Sequence, residues 1–145
     1  MTEPADHTIA IRALRARSNE AIASRDVLRV VSFMAEDVVV RVAGGPMLRG
    51  RDASAAVFSE QFADASFRGY VRTPQHVTSD EVPRVDGVAA EDAAPAIRVT
   101  ERGEWVGKWR LASGLHEQRG LYTAEWRLGP IGWQIMSETF TSAVR

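Results

Sequence analysis

The sequence has no cysteine among its 145 residues. This absence excludes disulfides, a catalytic thiolate and any zinc site built on cysteine. The only histidines, His7, His76 and His116, do not show the spacing of metal ligands. We therefore expect a protein that holds no metal and needs no cofactor.

An excess of charge of either sign is also missing. Eighteen basic and nineteen acidic residues leave a formal net charge of −1, so the chain offers no electrostatic footprint for nucleic acid. The start, MTEPADHTIAI, lacks the basic and apolar regions of a signal peptide, and no apolar run approaches the ~20 residues of a membrane span. We expect a soluble, cytoplasmic protein that binds neither nucleic acid nor membrane.

The length suits one compact domain over residues 1–145. A chain of this size, 45% hydrophobic, buries about 70% of the surface that its unfolded form exposes. This fraction is enough for a sizeable core without disulfides.

Three helices are predicted in the first half of the chain. Apolar residues recur at helical intervals between positions 8 and 24, with Arg12, Arg15 and Glu20 expected away from that stripe. Ser24 or Asp26 then begins a second, mostly apolar helix that should end near Glu36. Asp52 is expected to cap the third helix.

Strand patterns dominate the second half. After a short strand at 38–42, alternation of apolar and polar residues predicts strands at 67–80, 97–111, 119–128 and 132–142, with a long loop at 82–96. Helices grouped before strands predict an α+β fold, in which three N-terminal helices pack in a strongly curved antiparallel sheet.

The order of these elements resembles a known family. The segments that carry the likeness are "FMAEDVVV", "LRGRDA", "AIRVTERGEWVGKW", "RGLYTAEWR" and "GWQIMSETF". Their series is similar to the SnoaL-like and domain-of-unknown-function branch of the nuclear transport factor 2-like superfamily, over roughly residues 8–142. The resemblance implies a cone-shaped barrel, commonly a homodimer, with a pocket between the first helices and the concave sheet face.

Relatives in that superfamily include ketosteroid isomerases, polyketide cyclases, epoxide hydrolases and dehydratases, but fold alone does not decide function. The position of the isomerase base falls at or beside Val42, and no acid occurs from Val38 to Arg51. The isomerase tyrosine would fall near Ser18, and the partnering acid near Ala124. The isomerase residues are therefore not matched, and whether the protein is an enzyme stays open.

An acid lies among the tryptophans of the predicted strand 97–111. Alternation places Glu101 on the same face as Trp105 and Trp109, while the next strand adds Tyr122 and Trp126 to that face. This aromatic wall predicts a ligand pocket. Burial would raise the pKa of Glu101 unless a partner compensates.

The role of this acid has alternatives. Glu101 is either a proton carrier for a ligand or a structural residue held by a backbone amide or by an arginine such as Arg72, unless a bulge at Gly103 turns it to solvent. Glu138 is a second candidate, but its strand has apolar residues on both faces, so its direction stays open. Ser18, small and polar on the inner stripe of the first helix, either contacts the ligand or packs.

Two functions follow from these patterns. In the first, a homodimer binds a small hydrophobic molecule in an apolar pocket, with possible cofactor-free isomerase, cyclase or dehydratase chemistry on Glu101 or Glu138. In the second, the protein is a non-catalytic dimeric module with a filled or vestigial pocket. A cavity that touches either glutamate favours the first function, and a solid interior favours the second.

Overall fold

The protein folds as three N-terminal helices packed on a curved six-stranded sheet, which confirms the predicted α+β class. A computed structural model describes residues 4–82 and 96–142. In chain order the elements are α1 (Pro4–Ala23), α2 (Val27–Val31), β1 (Met34–Arg41), β2 (Met47–Arg49), α3 (Arg51–Ala63), β3 (Phe67–Val82), β4 (Ala96–Leu111), β5 (Gly114–Gly129) and β6 (Gly132–Ser142). The predicted loop at 82–96 lies outside the described residues except at its two ends, since Val82 belongs to β3 and Ala96 to β4.

The second helix is shorter than the sequence predicts. Asp26 caps it by accepting a hydrogen bond from the amide of Arg29 at 3.1 Å, but α2 ends at Val31, and β1 has already begun at Met34. An all-apolar run cannot distinguish a buried helix from a buried strand. Pairing decides the matter, since the amide of Ile135 in β6 donates to the carbonyl of Phe33 at 2.8 Å. The predicted helix end near Glu36 is wrong.

The cap of α3 also differs from the expectation. The N-cap residue is Gly50, and Asp52 lies within the first turn. Gly50 has φ 91°, a conformation that glycine adopts without strain. Its amide donates to the carbonyl of Val38 at 2.7 Å, which ties the start of α3 to β1.

The sheet is mixed rather than wholly antiparallel. Its strand order is β2-β1-β6-β5-β4-β3, and β1 runs parallel to β6 while the other neighbours are antiparallel. Within the described residues, β2 and β3 are the two edges and do not pair with each other. The sheet is therefore open and does not close into a barrel.

The tryptophan face exists as predicted. In the β4–β5 ladder, Glu101 pairs with Ala124 and Trp105 pairs with Gly120. Trp105, Tyr122 and Trp126 are buried on the side of the sheet that the helices cover, and Trp109 lies half-buried there.

A bulge settles the direction of Glu138. Glu125 pairs with Ser137, but the next residue, Trp126, pairs with Ile135, so β6 holds one extra residue at this point. The bulge breaks the two-residue period, and both Ile135 and Glu138 become buried.

The described helices cannot serve as membrane spans. Over residues 4–82 and 96–142, each helix is too short or too polar for that purpose.

Candidate functional site

A buried arginine from α1 binds the acid of the tryptophan face. Arg15 and Glu101 are both fully buried. The Nε atom of Arg15 lies 2.8 Å from Oε2 of Glu101, and Nη2 lies 2.9 Å from Oε1. This bidentate geometry is the strongest arrangement that a guanidinium and a carboxylate form.

Two aromatic side chains complete the surroundings of Glu101. The hydroxyl of Tyr122 donates a short hydrogen bond to Oε2, and the indole Nε1 of Trp126 donates to Oε1 at 2.8 Å. The Arg15 guanidinium also lies 5.4 Å from the centre of each of these two rings. Both oxygens of Glu101 are thus held by protein donors, as expected for a residue with a structural role.

Glu101 is kept ionised by this arrangement. Burial alone would raise its pKa, but the attraction of Arg15 and the hydrogen bonds from Arg15, Tyr122 and Trp126 outweigh burial and lower the pKa below its usual value. Burial and the nearby Glu101 charge raise the pKa of the Tyr122 hydroxyl. The sequence predicted a raised pKa at Glu101 only in the absence of a compensating partner, and Arg15 is that partner.

Arg15 also reaches the second acid. Its Nη2 donates to Oε2 of Glu138 at 2.9 Å, and Nη1 of Arg72 lies 3.8 Å from the same oxygen. Among the described residues, Glu138 accepts hydrogen bonds through Oε2 alone, whereas Glu101 uses both of its oxygens. Attraction to Glu138 and Glu101 overcomes the effect of burial and raises the pKa of Arg15.

Arg72 links the cluster to α1. Its Nη2 donates to Oγ of Ser18 at 2.6 Å, and its Nε donates to Oδ1 of Asn19 at 3.2 Å. Burial, and then repulsion from Arg15, lower the pKa of Arg72. Ser18, which the sequence predicted either to contact the ligand or to pack, is buried and accepts a hydrogen bond from Arg72. The sequence predicted an arginine such as Arg72 as one partner for Glu101; an arginine does bind Glu101, but it is Arg15.

A cavity of about 280 Å³ opens beside this cluster. Most of its wall is apolar or aromatic, and among the predicted site residues Trp105, Trp109 and Glu138 line it. Arg72 and Ser54 line it as well. The remaining predicted residues, Glu101, Ser18, Tyr122 and Trp126, are not lining residues and belong to the buried hydrogen-bonded cluster.

Sequence reasoning missed Arg15, which it assigned to the polar side of the first helix. The missed signal was the spacing of Ile11, Arg15, Ser18 and Ile22, which follows one face of a helix. All four are buried. An arginine between two apolar residues of a buried stripe indicates a buried acid that pairs with it.

The donor set does not suit a metal. In the part of the chain that the structure describes, no group of three or more His, Asp or Glu side chains could hold a metal ion.

Comparison with known proteins gives a family and a fold. The SnoaL-like domain family profile matches residues 16–115. A function-unknown protein from Mycobacterium tuberculosis is similar in structure at TM-score 0.70 and 21% identity, over 96% of this chain and 73% of that one. A protein of unknown function from Pseudomonas putida, described as nuclear transport factor 2-like, matches at TM-score 0.65 and 18% identity, over 99% and 92%.

A ketosteroid isomerase-like protein from Erwinia carotovora matches at TM-score 0.60 and 17% identity, over 94% of this chain and 96% of that one. At these identities the structural matches show the fold alone. No curated protein has significant similarity to the chain. Since the family profile covers more than half of the sequence, the chain belongs to the SnoaL-like domain family, and its fold is similar to that of nuclear transport factor 2-like proteins.

Proposed function

We propose that the cavity binds a small, mainly apolar molecule whose polar group lies against Glu138 and Arg72. The observation that carries this proposal is the cavity itself, about 280 Å³ in volume, with a mainly apolar wall and few polar side chains. Ligand sites typically combine these two features. The cavity also touches one of the two candidate glutamates, which favours a binding protein over a module with a filled interior.

The two candidate acids have different roles in this proposal. Glu101 is saturated by Arg15, Tyr122 and Trp126, so it anchors the polar cluster. Glu138 lies in the cavity wall with Oε1 available as an acceptor among the described residues. A ligand hydroxyl would donate to Glu138, and the charge of Arg72 would favour an adjacent oxygen of the ligand.

We expect acid–base chemistry on the ligand to use Glu138, because it is the only carboxylate among the lining residues that the structure describes. Isomerisation, cyclisation and dehydration without a cofactor each need a protein group that accepts or returns a proton at the ligand. Trp105 and Trp109 would hold a ring in place beside this carboxylate.

Native mass spectrometry of the protein purified from its own host tests the proposal by detecting a bound small molecule. A thermal-shift screen of hydroxylated and carbonyl-bearing ring compounds would follow. Leu48→Trp should weaken binding by reducing the space at a lining position. Leu28→Trp is the matched control, because Leu28 is 81% exposed on α2. Equal binding by Leu48→Trp, or no binding by the wild type, would refute the proposal.

A further inference from the structure

A buried hydroxyl in the cavity wall lacks a partner. Ser54 lies in the first turns of α3 and is 1% exposed. Its Oγ has no hydrogen-bond partner within the described residues. Native proteins rarely leave a buried polar group unsatisfied, so such a group requires a physical explanation.

Two other serines, at helix ends, hydrogen-bond through their hydroxyls to backbone carbonyls of the preceding turn. The hydroxyl of Ser24 donates to the carbonyl of Glu20 at 3.0 Å, and that of Ser32 donates to the carbonyl of Arg29 at 2.6 Å. This bonding to the preceding turn is the usual local solution for a helical serine. The Ser54 hydroxyl makes no such bond within the described residues. Only the backbone amide of Ser54 approaches the preceding turn, at 3.5 Å from the carbonyl oxygen of Gly50.

The cavity volume limits the size of what could satisfy Ser54. An apolar cavity of about 150 Å³ is known to hold benzene. The present cavity, about 280 Å³, is nearly twice that size and suits a molecule of about two rings. The polar side chains of its wall include Arg72 and Glu138 in addition to Ser54.

We infer that Ser54 is a second ligand contact, and that the ligand is a two-ring-sized molecule with oxygen groups at two positions. One oxygen group binds at Glu138 and Arg72, and the other pairs with the Ser54 hydroxyl, which both donates and accepts. This inference rests on the proposed function and adds the chemical class of the ligand.

Isothermal titration calorimetry with naphthalene, 2-naphthol and the dihydroxynaphthalene isomers tests this class. In the wild type, at least one diol should bind about three- to tenfold more tightly than 2-naphthol, as one net hydrogen bond provides. Ser54→Ala should abolish this gain and leave the affinity for 2-naphthol unchanged. Ser59→Ala, on the exposed side of the same helix, should behave as the wild type.

Thermal unfolding of the ligand-free variants separates a ligand role from a structural one. Ser54→Ala removes an unsatisfied hydroxyl, so its Tm should not fall below that of the wild type. A lower Tm together with an equal loss of affinity for every probe would overturn the inference. If 2-naphthol binds but no diol binds more tightly through Ser54, the inference fails and the proposed function stands. If no probe binds, the proposed function fails as well.

Discussion

Glu101 and Glu138 lie in one cross-strand row on either side of Ala124, and the guanidinium of Arg15 binds both carboxylates. The small side chain of Ala124 on β5 separates the two acids, which lie on β4 and β6 on the same face of the sheet. Two buried carboxylates this close would repel each other without a cation. Arg15 therefore offsets the repulsion between the two carboxylates. Glu101 also accepts hydrogen bonds from Tyr122 and Trp126, whereas Glu138 lines the cavity.

Glu101→Gln should destabilise the fold strongly. The amide group cannot accept from donors on both sides, and the fully buried Arg15 loses the carboxylate that it binds with two hydrogen bonds. We expect the free energy of unfolding to fall by about 3–5 kcal/mol, as when one partner of a buried ion pair is removed. Urea denaturation measures this loss. Glu104→Gln is the control on an exposed position of the same strand, and an equal effect of both changes would contradict the prediction.

The stability of the protein should decrease in acid because of Glu101. Its folded-state pKa lies below the ordinary value of 4.5, so the ionised form stabilises the native state. This contribution is complete above pH 4.5 and is lost as the pH falls through the lower, folded-state pKa. Denaturant midpoints measured from pH 7 to acid should show the decrease. The midpoint of Glu101→Gln should decrease less over the same pH range. If the midpoints of wild type and variant decrease equally, Glu101 is not the source of the acid sensitivity.

Glu138→Gln should affect binding more than folding. One of its oxygens contacts Arg15, and Arg15 keeps Glu101 as a partner. We expect a stability loss of about 1–3 kcal/mol, the range for one buried hydrogen-bonded group. The affinity for hydroxylated ring compounds should fall together with any turnover. Calorimetry and denaturation on the same preparation compare the two effects, and unchanged affinity would remove Glu138 from the site.

Gly120→Ala should disrupt the sheet beside Trp105. A Cβ atom at this position would lie 1.8 Å from the carbonyl oxygen of Thr141 and 2.7 Å from Nε1 of Trp105. Nε1 already donates to that carbonyl at 2.9 Å. We expect a loss of about 3 kcal/mol or more, because neighbouring backbone has to move. Gly69→Ala, where an added Cβ meets nothing within 4 Å, should be tolerated in the same thermal denaturation assay.

The homodimer stays a prediction, and the outer sheet face is its expected interface. Val71 pairs with Val106 on that face, and Leu121 is 57% exposed on it. Sedimentation should give twice the 16.0 kDa monomer mass. Leu121→Lys should shift the protein towards monomer, because a charge would be buried between the copies. Leu28→Lys, on α2, is the control. A wild-type monomer at micromolar concentration would exclude the dimer.

The sequence alone determined the inner face of the sheet. The alternation in β4 and β5 is a local property of an extended chain, so it placed Glu101 with Trp105, Tyr122 and Trp126 before any partner was known. The same local pattern failed at β6, where the bulge beside Ile135 shifts the period, because a bulge depends on how the neighbouring strand pairs.

Only the tertiary structure decided what the buried acids contact. Arg15 and Glu101 are separated by 86 positions, and Arg15 and Glu138 by 123. Local periodicity says which side of an element is buried, but not which of several arginines meets a given carboxylate. That choice follows from how α1 packs across the sheet. The beginning of β1 at Met34 has the same origin, since pairing with β6 overrides the helical tendency of an apolar run.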